Sequence, residues 1–131
     1  MTGVEIRIDP VPTREAYESL YRAARGKSAI ARLPRWELSL VHLGAYLDER
    51  LVGYVNVATD GGVHAFLLDP MVHPDQRRVG LGRRLVAQAT DLARERGAQW
   101  LHVDYEPDLA GFYRACGFAP TLAGLIRLGS N

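Results

Sequence analysis

The sequence predicts an α/β (α+β) domain with a mixed, mostly antiparallel sheet, a central pair of parallel strands that splay apart, and flanking helices. Three apolar runs of strand length, at 38–47, 51–58 and 63–72, follow one another with only short turns between them, which indicates an antiparallel meander. A helical pattern over 81–96 then connects the third run to another strand at 99–105. Such a crossover makes its two strands parallel neighbours.

The first part of the chain predicts a strand followed by a helix. Residues 4–8 alternate between apolar and charged side chains, as in a half-buried strand. Thr13 is a suitable N-cap for the helix that follows, and Gly26 is a suitable residue to end it. We expect residues 26–37 to be irregular; they carry three cations and Trp36.

Turn and breaker residues set the limits of the central elements. Polar turns at 48–50 and 59–62 separate the three strands of the meander. Pro70 has no N–H to donate, so it predicts a bulge near the C-terminal end of the third strand. The helix after that strand has its apolar residues on one face, and Gly97 ends it.

The C-terminal part predicts a short helix and a last strand. Asp108 is the expected N-cap of a helix that runs through Ala115 and ends at Gly117. The apolar run from Leu122 to Leu128 is typical of a strand. No repeat or linker interrupts the sequence, so residues 1–131 are expected to form one domain.

Composition excludes several classes of function. A formal net charge of +1 over 131 residues argues against a nucleic-acid binder. No apolar run is long enough to cross a membrane, and the N-terminus does not resemble a signal peptide, so we expect no membrane partner. The single cysteine, Cys116, fits a reducing cytoplasm. Four scattered histidines show no spacing for metal ligands, so no metal site is expected.

The most informative segment is residues 72–86, where a glycine-containing loop lies between a strand and the start of a helix. The first turn of a helix has free N–H groups and the positive end of the helix dipole, which suit an anion such as phosphate. Gly80 and Gly82 lack Cβ atoms and allow a ligand to approach the backbone. Four arginines in the same loop and helix start favour an anionic ligand: Arg77, Arg78, Arg83 and Arg84.

Two motifs in this sequence resemble those of the GNAT N-acetyltransferases. The segment Arg77–Gly82 (RRVGLG) fits the R/Q-x-x-G-x-G/A signature, and it lies between a strand and a central helix as in that family. The segment Phe112–Phe118 (FYRACGF) is similar to the family's F-Y-x-x-x-G-F segment. The hairpin at 48–53 resembles a D-G-x-x-V-G turn, with Glu49 where glycine is usual. The resemblance covers about residues 4–128.

The resemblance implies an acetyl-CoA site and the GNAT acyl-CoA N-acyltransferase fold. In this family, backbone amides of the signature loop hold the pyrophosphate of CoA, and the pantetheine arm pairs with the end of the preceding strand. The implied cofactor-binding residues are Met71, Val72, Arg77, Arg78, Val79, Gly80, Leu81, Gly82, Arg83 and Arg84.

The implied reaction is direct attack of an amine on the acetyl thioester in a ternary complex. Tyr113 occupies the family's general-acid position, from which a hydroxyl could protonate the departing thiolate. The general base stays open between Asp69, near the end of the strand before the loop, and Glu106, at the end of the next strand; Asp104 lies on the same strand face as Glu106. The acceptor amine belongs to an unspecified small molecule or protein, and the resemblance allows a homodimer.

The sequence fits three other functions less well or leaves them open. A dinucleotide-binding domain fits poorly because Leu85 stands where the third glycine of G-x-G-x-x-G is required, and only one βαβ unit is predicted. A non-catalytic acyl-CoA sensor on the same fold stays open. A nucleic-acid module is disfavoured because the basic cluster contains no interleaved aromatic residues.

Overall fold

The computed structural model of the protein describes residues 3–27 and 32–129, and within them a five-stranded mixed sheet. The strand order is that of the chain, and every neighbouring pair is antiparallel except the last, which is parallel. The strands are β1 (Glu5–Ile8), β2 (Ser39–Leu47), β3 (Arg50–Thr59), β4 (His64–Val72) and β5 (Trp100–His102). The predicted meander and parallel crossover are therefore confirmed.

In the described part of the chain, three α-helices and three single turns of 3₁₀-helix accompany the sheet. The α-helices are α1 (Arg14–Arg25), α2 (Leu81–Glu95) and α3 (Ala110–Ala115), and the turns are Trp36–Leu38, Pro74–Gln76 and Pro107–Leu109. The predicted limits of α1 are confirmed, because the Thr13 hydroxyl accepts a hydrogen bond from the Ala16 N–H at 3.0 Å and Gly26 ends the helix with a φ of 113°.

Each face of the sheet is covered by a different helix. Tyr17 and Leu20 of α1 pack on Tyr54 and Met71, which form a small core on one face. The larger core lies between α2 and the other face, where the apolar side of the helix meets the middle of the meander. Its buried residues include Leu43, Val55, Val57, Leu67, Leu81, Leu85 and Ala89.

The bulge predicted at Pro70 is present in β4. Tyr54 lies opposite Met71 and Asn56 lies opposite Leu68, so one residue of β3 faces two residues of β4. Asp69, inside the bulge, has a φ of 54°, in the left-handed region. Since bulges re-aim the side chains around them, this one shapes the end of β4 before the glycine loop.

The C-terminal part differs from the prediction in three ways. Strand β5 spans only Trp100–His102, whereas 99–105 was expected. Asp108 is not an N-cap, because it lies inside the turn Pro107–Leu109 and the helix begins two residues later without a side-chain cap. Residues 122–128 do not form a strand; every residue from 119 to 129 is exposed. A strand needs a neighbour for its N–H and C=O groups, and within residues 3–27 and 32–129 these residues have none. As a result, the parallel pair lies at one edge of the sheet.

The carboxylate of Asp9 connects β1, β2 and the C-terminal end of α2. It accepts hydrogen bonds from the His42 N–H at 3.0 Å and from Arg96 Nη1 at 2.8 Å, and Arg96 also donates to the Leu40 carbonyl at 2.9 Å. Burial alone would raise the pKa of Asp9, but the bonds from His42 and Arg96 outweigh it and hold the pKa below its ordinary value of 3.8.

We expect Asp9→Asn to lower the free energy of unfolding by about 1 kcal/mol at pH 7, because the His42 N–H and Arg96 would no longer donate to a charged acceptor, and the effect is small because Asp9 is partly exposed. A carboxyl with a depressed folded-state pKa stabilises the fold above its unfolded pKa and loses that effect as the pH falls through the folded value. The difference from the wild type should therefore shrink below about pH 4. Urea unfolding at pH 7 and pH 3 measures it, with Asp91→Asn on exposed helix surface as the control. An equal difference at both pH values would contradict the ion-pair account.

Candidate functional site

A cleft of about 580 Å³ lies where the end of β4, the glycine loop, the start of α2 and α3 meet. Met71 and Val72 form its wall on the strand side, and Phe112 and Tyr113 form the wall on the α3 side. Gly80–Gly82 contribute the backbone of the loop. The cleft therefore brings together the two motifs that are about thirty residues apart in the sequence.

The glycine loop presents a row of unpaired backbone donors. The N–H groups of residues 78–83 make no hydrogen bond to any residue in the described ranges, and the first capping bond is that of Arg84 N–H to the Gly80 carbonyl at 3.0 Å. Arg78 and Gly80 both have positive φ values, 67° and 81°, which turn successive N–H groups toward a common concavity. Together with the positive end of α2, this arrangement is suited to bind a phosphate group.

The two glycines of the loop have different structural roles. Gly80 needs to be glycine for its backbone, because its φ of 81° is strained for any residue with a Cβ. Gly82 has an ordinary helical position, and a Cβ there would lie 3.5 Å from Phe112 and 3.7 Å from Val72, which are normal contacts. The fold therefore does not require glycine at position 82, and the predicted role of Gly82 in binding a ligand stays a prediction.

The structure brings eight of the ten predicted cofactor-binding residues to the cleft. Those that line it are Met71, Val72, Arg77, Arg78, Gly80, Leu81, Gly82 and Arg83. Val79 and Arg84 do not line it. The Arg77 guanidinium donates to the Val72 carbonyl at 3.3 Å and so ties the loop to the end of β4, while Arg83 has no side-chain partner among the described residues. Their roles toward a ligand stay predictions.

Tyr113 lies at the cleft with its ring buried in an aromatic cluster. The ring stacks on Tyr105 at 4.8 Å between centroids and meets Phe112 and Phe118 edge-on at 5.0 and 5.7 Å. Burial, with a smaller contribution from Cys116, raises the pKa of Tyr113 above 10. The hydroxyl has no hydrogen-bond partner within the described part of the chain. The raised pKa keeps this hydroxyl protonated at neutral pH, and its role as a general acid stays a prediction.

The predicted carboxylates do not line the cleft. Asp69 is exposed in the bulge of β4. The pKa of Tyr17, on the α1 side of the sheet, is raised mainly by the burial of Tyr17 and next by the charge of Asp69. Glu106 is exposed just before the turn Pro107–Leu109 and makes no side-chain hydrogen bond to a described residue. Asp104 is close enough for its charge to act on Tyr113. The identity of the general base stays open.

Sequence reasoning missed two contributors to this site. Phe112 lies opposite Gly82 across the cleft, although it is part of the second motif. Arg25, from the end of α1, donates to the Pro70 carbonyl in the bulge at 3.2 Å, and its charge acts against the raised pKa of Tyr113. The periodicity of a helix gives no signal for a contact 45 residues away, so only the folded structure identifies Arg25.

Elsewhere in the described residues, no cleft is lined by either of the two sequence motifs. A second cleft of about 430 Å³ lies between α1, the β2–β3 turn and the Pro74–Gln76 turn, and neither motif contributes to its lining. Within residues 3–27 and 32–129, no group of three His, Cys, Asp or Glu side chains is placed to hold a metal ion. None of the helices described is both long and apolar enough to span a bilayer.

Comparison with known proteins identifies the family of this chain. The Acetyltransferase (GNAT) family profile matches residues 11–118. The "uncharacterized N-acetyltransferase ycf52" of Porphyra purpurea is 35% identical over 69 residues, which are 53% of this chain and 40% of that protein, so the chain spans well under two thirds of that curated relative.

Solved structures show the same fold. An acetyltransferase from Trypanosoma brucei has a TM-score of 0.79 at 20% identity and covers 98% of this chain and 100% of that one. The aminoglycoside N-acetyltransferase AAC(6')-Iy, solved in complex with CoA, has a TM-score of 0.72 at 18% identity and covers 97% and 96% of the two chains. With its profile match over most of its length, this chain belongs to the GNAT acetyltransferase family.

Proposed function

We propose that the protein transfers an acetyl group from acetyl-CoA to an amine of a small molecule or protein. The observation that carries this proposal is the row of unpaired N–H groups at residues 78–83, at one end of a cleft whose wall includes Tyr113. The row suits the pyrophosphate of CoA, because it combines several donors with a helix N-terminus. The apolar walls at Leu85 and Phe112 suit the rest of an acyl-CoA.

The reaction requires a nucleophile, a leaving group and two proton transfers. The amine nitrogen attacks the thioester carbonyl carbon, the C–S bond breaks, and the CoA thiolate leaves with its electron pair. We assign to Tyr113 the proton that the thiolate takes up, because its raised pKa keeps the hydroxyl protonated at neutral pH. The amine loses its proton to a base for which Asp69 and Glu106 are the candidates. The proposed chemistry uses no metal ion, and the single cysteine favours a cytoplasmic protein.

One observation favours a second function, an acyl-CoA sensor without catalysis. Neither Asp69 nor Glu106 lines the cleft, so a general base is not in place beside Tyr113 in this conformation. Incubation with acetyl-CoA and a panel of amines, followed by a free-thiol assay, distinguishes the two. Thiol release that depends on the amine supports the enzyme, and binding without release supports the sensor.

Acetyl-CoA should raise the melting temperature of the protein, since a ligand that binds only the folded state stabilises it by mass action. At a concentration of 100 times Kd the gain is about 2.7 kcal/mol, which for a domain of this size is a shift of roughly 5–15 °C. Differential scanning fluorimetry with acetyl-CoA and with CoA measures this shift, and adenosine, which lacks the pyrophosphate and the pantetheine arm, is the control. The absence of a shift with millimolar acetyl-CoA and CoA would contradict the proposed function.

Arg83 and Arg84 form a matched pair, because only Arg83 lines the cleft. We expect Arg83→Gln to weaken CoA binding about tenfold, because one hydrogen bond between charged groups would be lost. The variant should also show a weaker dependence of Kd on salt concentration. Arg84→Gln should leave Kd within about twofold. Titration calorimetry at two salt concentrations tests both variants. Equal losses in the two would show that the arginines act through general charge rather than through contact.

A further inference from the structure

Two histidines from distant parts of the chain meet on one face of the parallel strand pair. His64 is the first residue of β4, and His102 is the last residue of β5. The register places His64 opposite Trp100 and Phe66 opposite His102, so the two histidines are diagonal neighbours on the same face of the sheet. As a result, Nδ1 of His64 and Nε2 of His102 lie 2.9 Å apart.

The surroundings of the pair hold one ring in place and favour a cation. The His102 ring stacks on Phe66, with 4.7 Å between the ring centroids and 21° between the planes. Asp60 lies beside the other ring, because the pKa of its carboxyl is lowered mainly by the Gly62 N–H and also by contacts with His64. A carboxylate next to two imidazole nitrogens adds negative charge to a set of electron-pair donors.

The pair faces solvent and is separate from the acetyl-CoA cleft. His64 is half-buried and His102 is exposed, so a dissolved ion can reach both rings. Neither histidine lines the cleft. The distance along β4 from His64 to Pro70, where the cleft begins, is about 20 Å at roughly 3.3 Å per residue. The proposed acetyl transfer therefore gives this pair no role.

The geometry of the two rings is close to that of ligands on one metal ion. Imidazole nitrogens bind Zn²⁺ at about 2.0–2.1 Å, so two of them at a tetrahedral angle lie about 3.4 Å apart, with ring centroids about 5.2 Å apart. The centroids of His64 and His102 are already 5.1 Å apart. A small rotation of the rings therefore opens the distance between the nitrogens while the strands stay in place.

The protonation of the pair also permits metal binding. In the hydrogen bond between two neutral rings, one nitrogen donates its N–H and the other accepts. When the shared proton moves to the far nitrogen of its own ring, both facing nitrogens present a lone pair. Metal binding then requires a change of tautomer in one ring, and neither ring has to lose a proton to solvent.

We propose that His64 and His102 form a two-histidine site for a divalent transition-metal ion, which links β4 to β5 at the end of the parallel pair away from the cleft. Neutral imidazole suits Zn²⁺, Ni²⁺ and Cu²⁺, whereas Mg²⁺ and Ca²⁺ prefer oxygen ligands. Water completes the coordination of the ion. Because β4 and β5 pair over only three residues, an ion held by both strands stabilises this edge of the sheet.

The site differs from the expectation based on sequence for a clear reason. The two histidines are 38 residues apart, and no spacing rule for metal ligands connects them. Only the parallel register of β4 and β5 brings them together. A search for three protein ligands does not find the site in the described residues, because it has two.

Titration calorimetry with Ni²⁺ and Zn²⁺, on full-length protein without an affinity tag, tests the proposal. We expect one ion per chain to bind at micromolar concentration, with Mg²⁺ inactive as the control. At ten times Kd, the ion should raise the melting temperature by roughly 4–8 °C, since it binds the folded state. The electron paramagnetic resonance spectrum of the Cu²⁺ complex should show coupling to two imidazole nitrogens.

Three single variants identify the ligands. His64→Ala and His102→Phe should each weaken binding at least tenfold, since even partners outside the first coordination shell are worth about 10–100-fold in affinity. Phenylalanine at position 102 keeps a ring that can stack on Phe66. The control is His73→Asn, which should keep full affinity, and its side-chain oxygen can still accept from the Asp75 N–H as the His73 ring does.

Several results would overturn the proposal. They are no binding of Ni²⁺ or Zn²⁺ at millimolar concentration, one ion shared by two chains, or unchanged affinity in His64→Ala or in His102→Phe. A loss in His73→Asn equal to that in the other two variants would also overturn it, because the histidines would then act without a defined site. None of these outcomes depends on acetyl-CoA binding, which the glycine-loop variants test separately.

Discussion

Gly82→Val should weaken acetyl-CoA binding by about a hundredfold or more while the protein keeps most of its stability. The valine side chain would project into the cleft between Phe112 and Val72, in front of the N–H groups of the first turn of α2. Two hydrogen bonds to a charged phosphate are worth about 1.5–3 kcal/mol each, and a loss of about 3 kcal/mol is more than a hundredfold in Kd. The backbone should tolerate a Cβ at this position, because that atom meets only ordinary contacts and Gly82 has no positive φ, and the melting temperature of the variant measures the cost of the two Cγ atoms.

Two other glycines provide the controls for this experiment. Gly80→Ala places a Cβ on a backbone with φ of 81°, which costs about 1–2 kcal/mol of stability whatever the ligand does. Gly111→Ala, in α3, has open space and a helical backbone, so it should keep binding and raise stability slightly. Titration calorimetry and melting of the three variants separate the two effects. Unchanged affinity in Gly82→Val would show that the loop does not hold the phosphate groups.

The features that sequence predicted well depend on residues close together in the chain. The N-cap at Thr13, the bulge at Pro70 and the loop before α2 each follow from the chemistry of one or two residues, and the structure confirms them. The turn at Asp48 and Glu49 shows that residue type alone does not determine backbone conformation. Both residues have positive φ, and Glu49 adopts a conformation that glycine would adopt more easily, while its carboxylate pairs with Arg7 at 2.8 Å.

The features that sequence missed depend on contacts between distant segments. The last strand was predicted from an apolar run, which indicates that the segment could form a strand but not whether a neighbouring strand is present. Arg25 reaches the site through a carbonyl 45 residues away, and no local pattern indicates that contact. Asp69 and Glu106 are expected near the site from their positions along the strands, and neither is among the residues that line the cleft, so their role as base stays a prediction.

Tyr113→Phe should lower kcat about 10²–10⁴-fold, the range that is typical of the loss of a general acid. The substitution removes only the hydroxyl, so the stacking on Tyr105 and the edge contacts with Phe112 and Phe118 should persist. KM for acetyl-CoA should change little, because the proton is delivered in the transition state rather than on binding. The melting temperature should stay within about 2 °C, because the hydroxyl has no partner in the described structure whose loss would cost stability.

The pH profile of kcat is the readout that a packing role would not move. A general acid works in its protonated form, and burial raises the pKa of Tyr113, so the alkaline limb of the wild type should lie above pH 10, the ordinary value for tyrosine. That limb should disappear in Tyr113→Phe. Tyr105→Phe, in the ring that stacks on Tyr113 but outside the cleft, should keep both the rate and the limb. If Tyr113→Phe retains full activity under conditions where chemistry limits the rate, the hydroxyl is not the acid, and the thiolate must take its proton from water or leave without one.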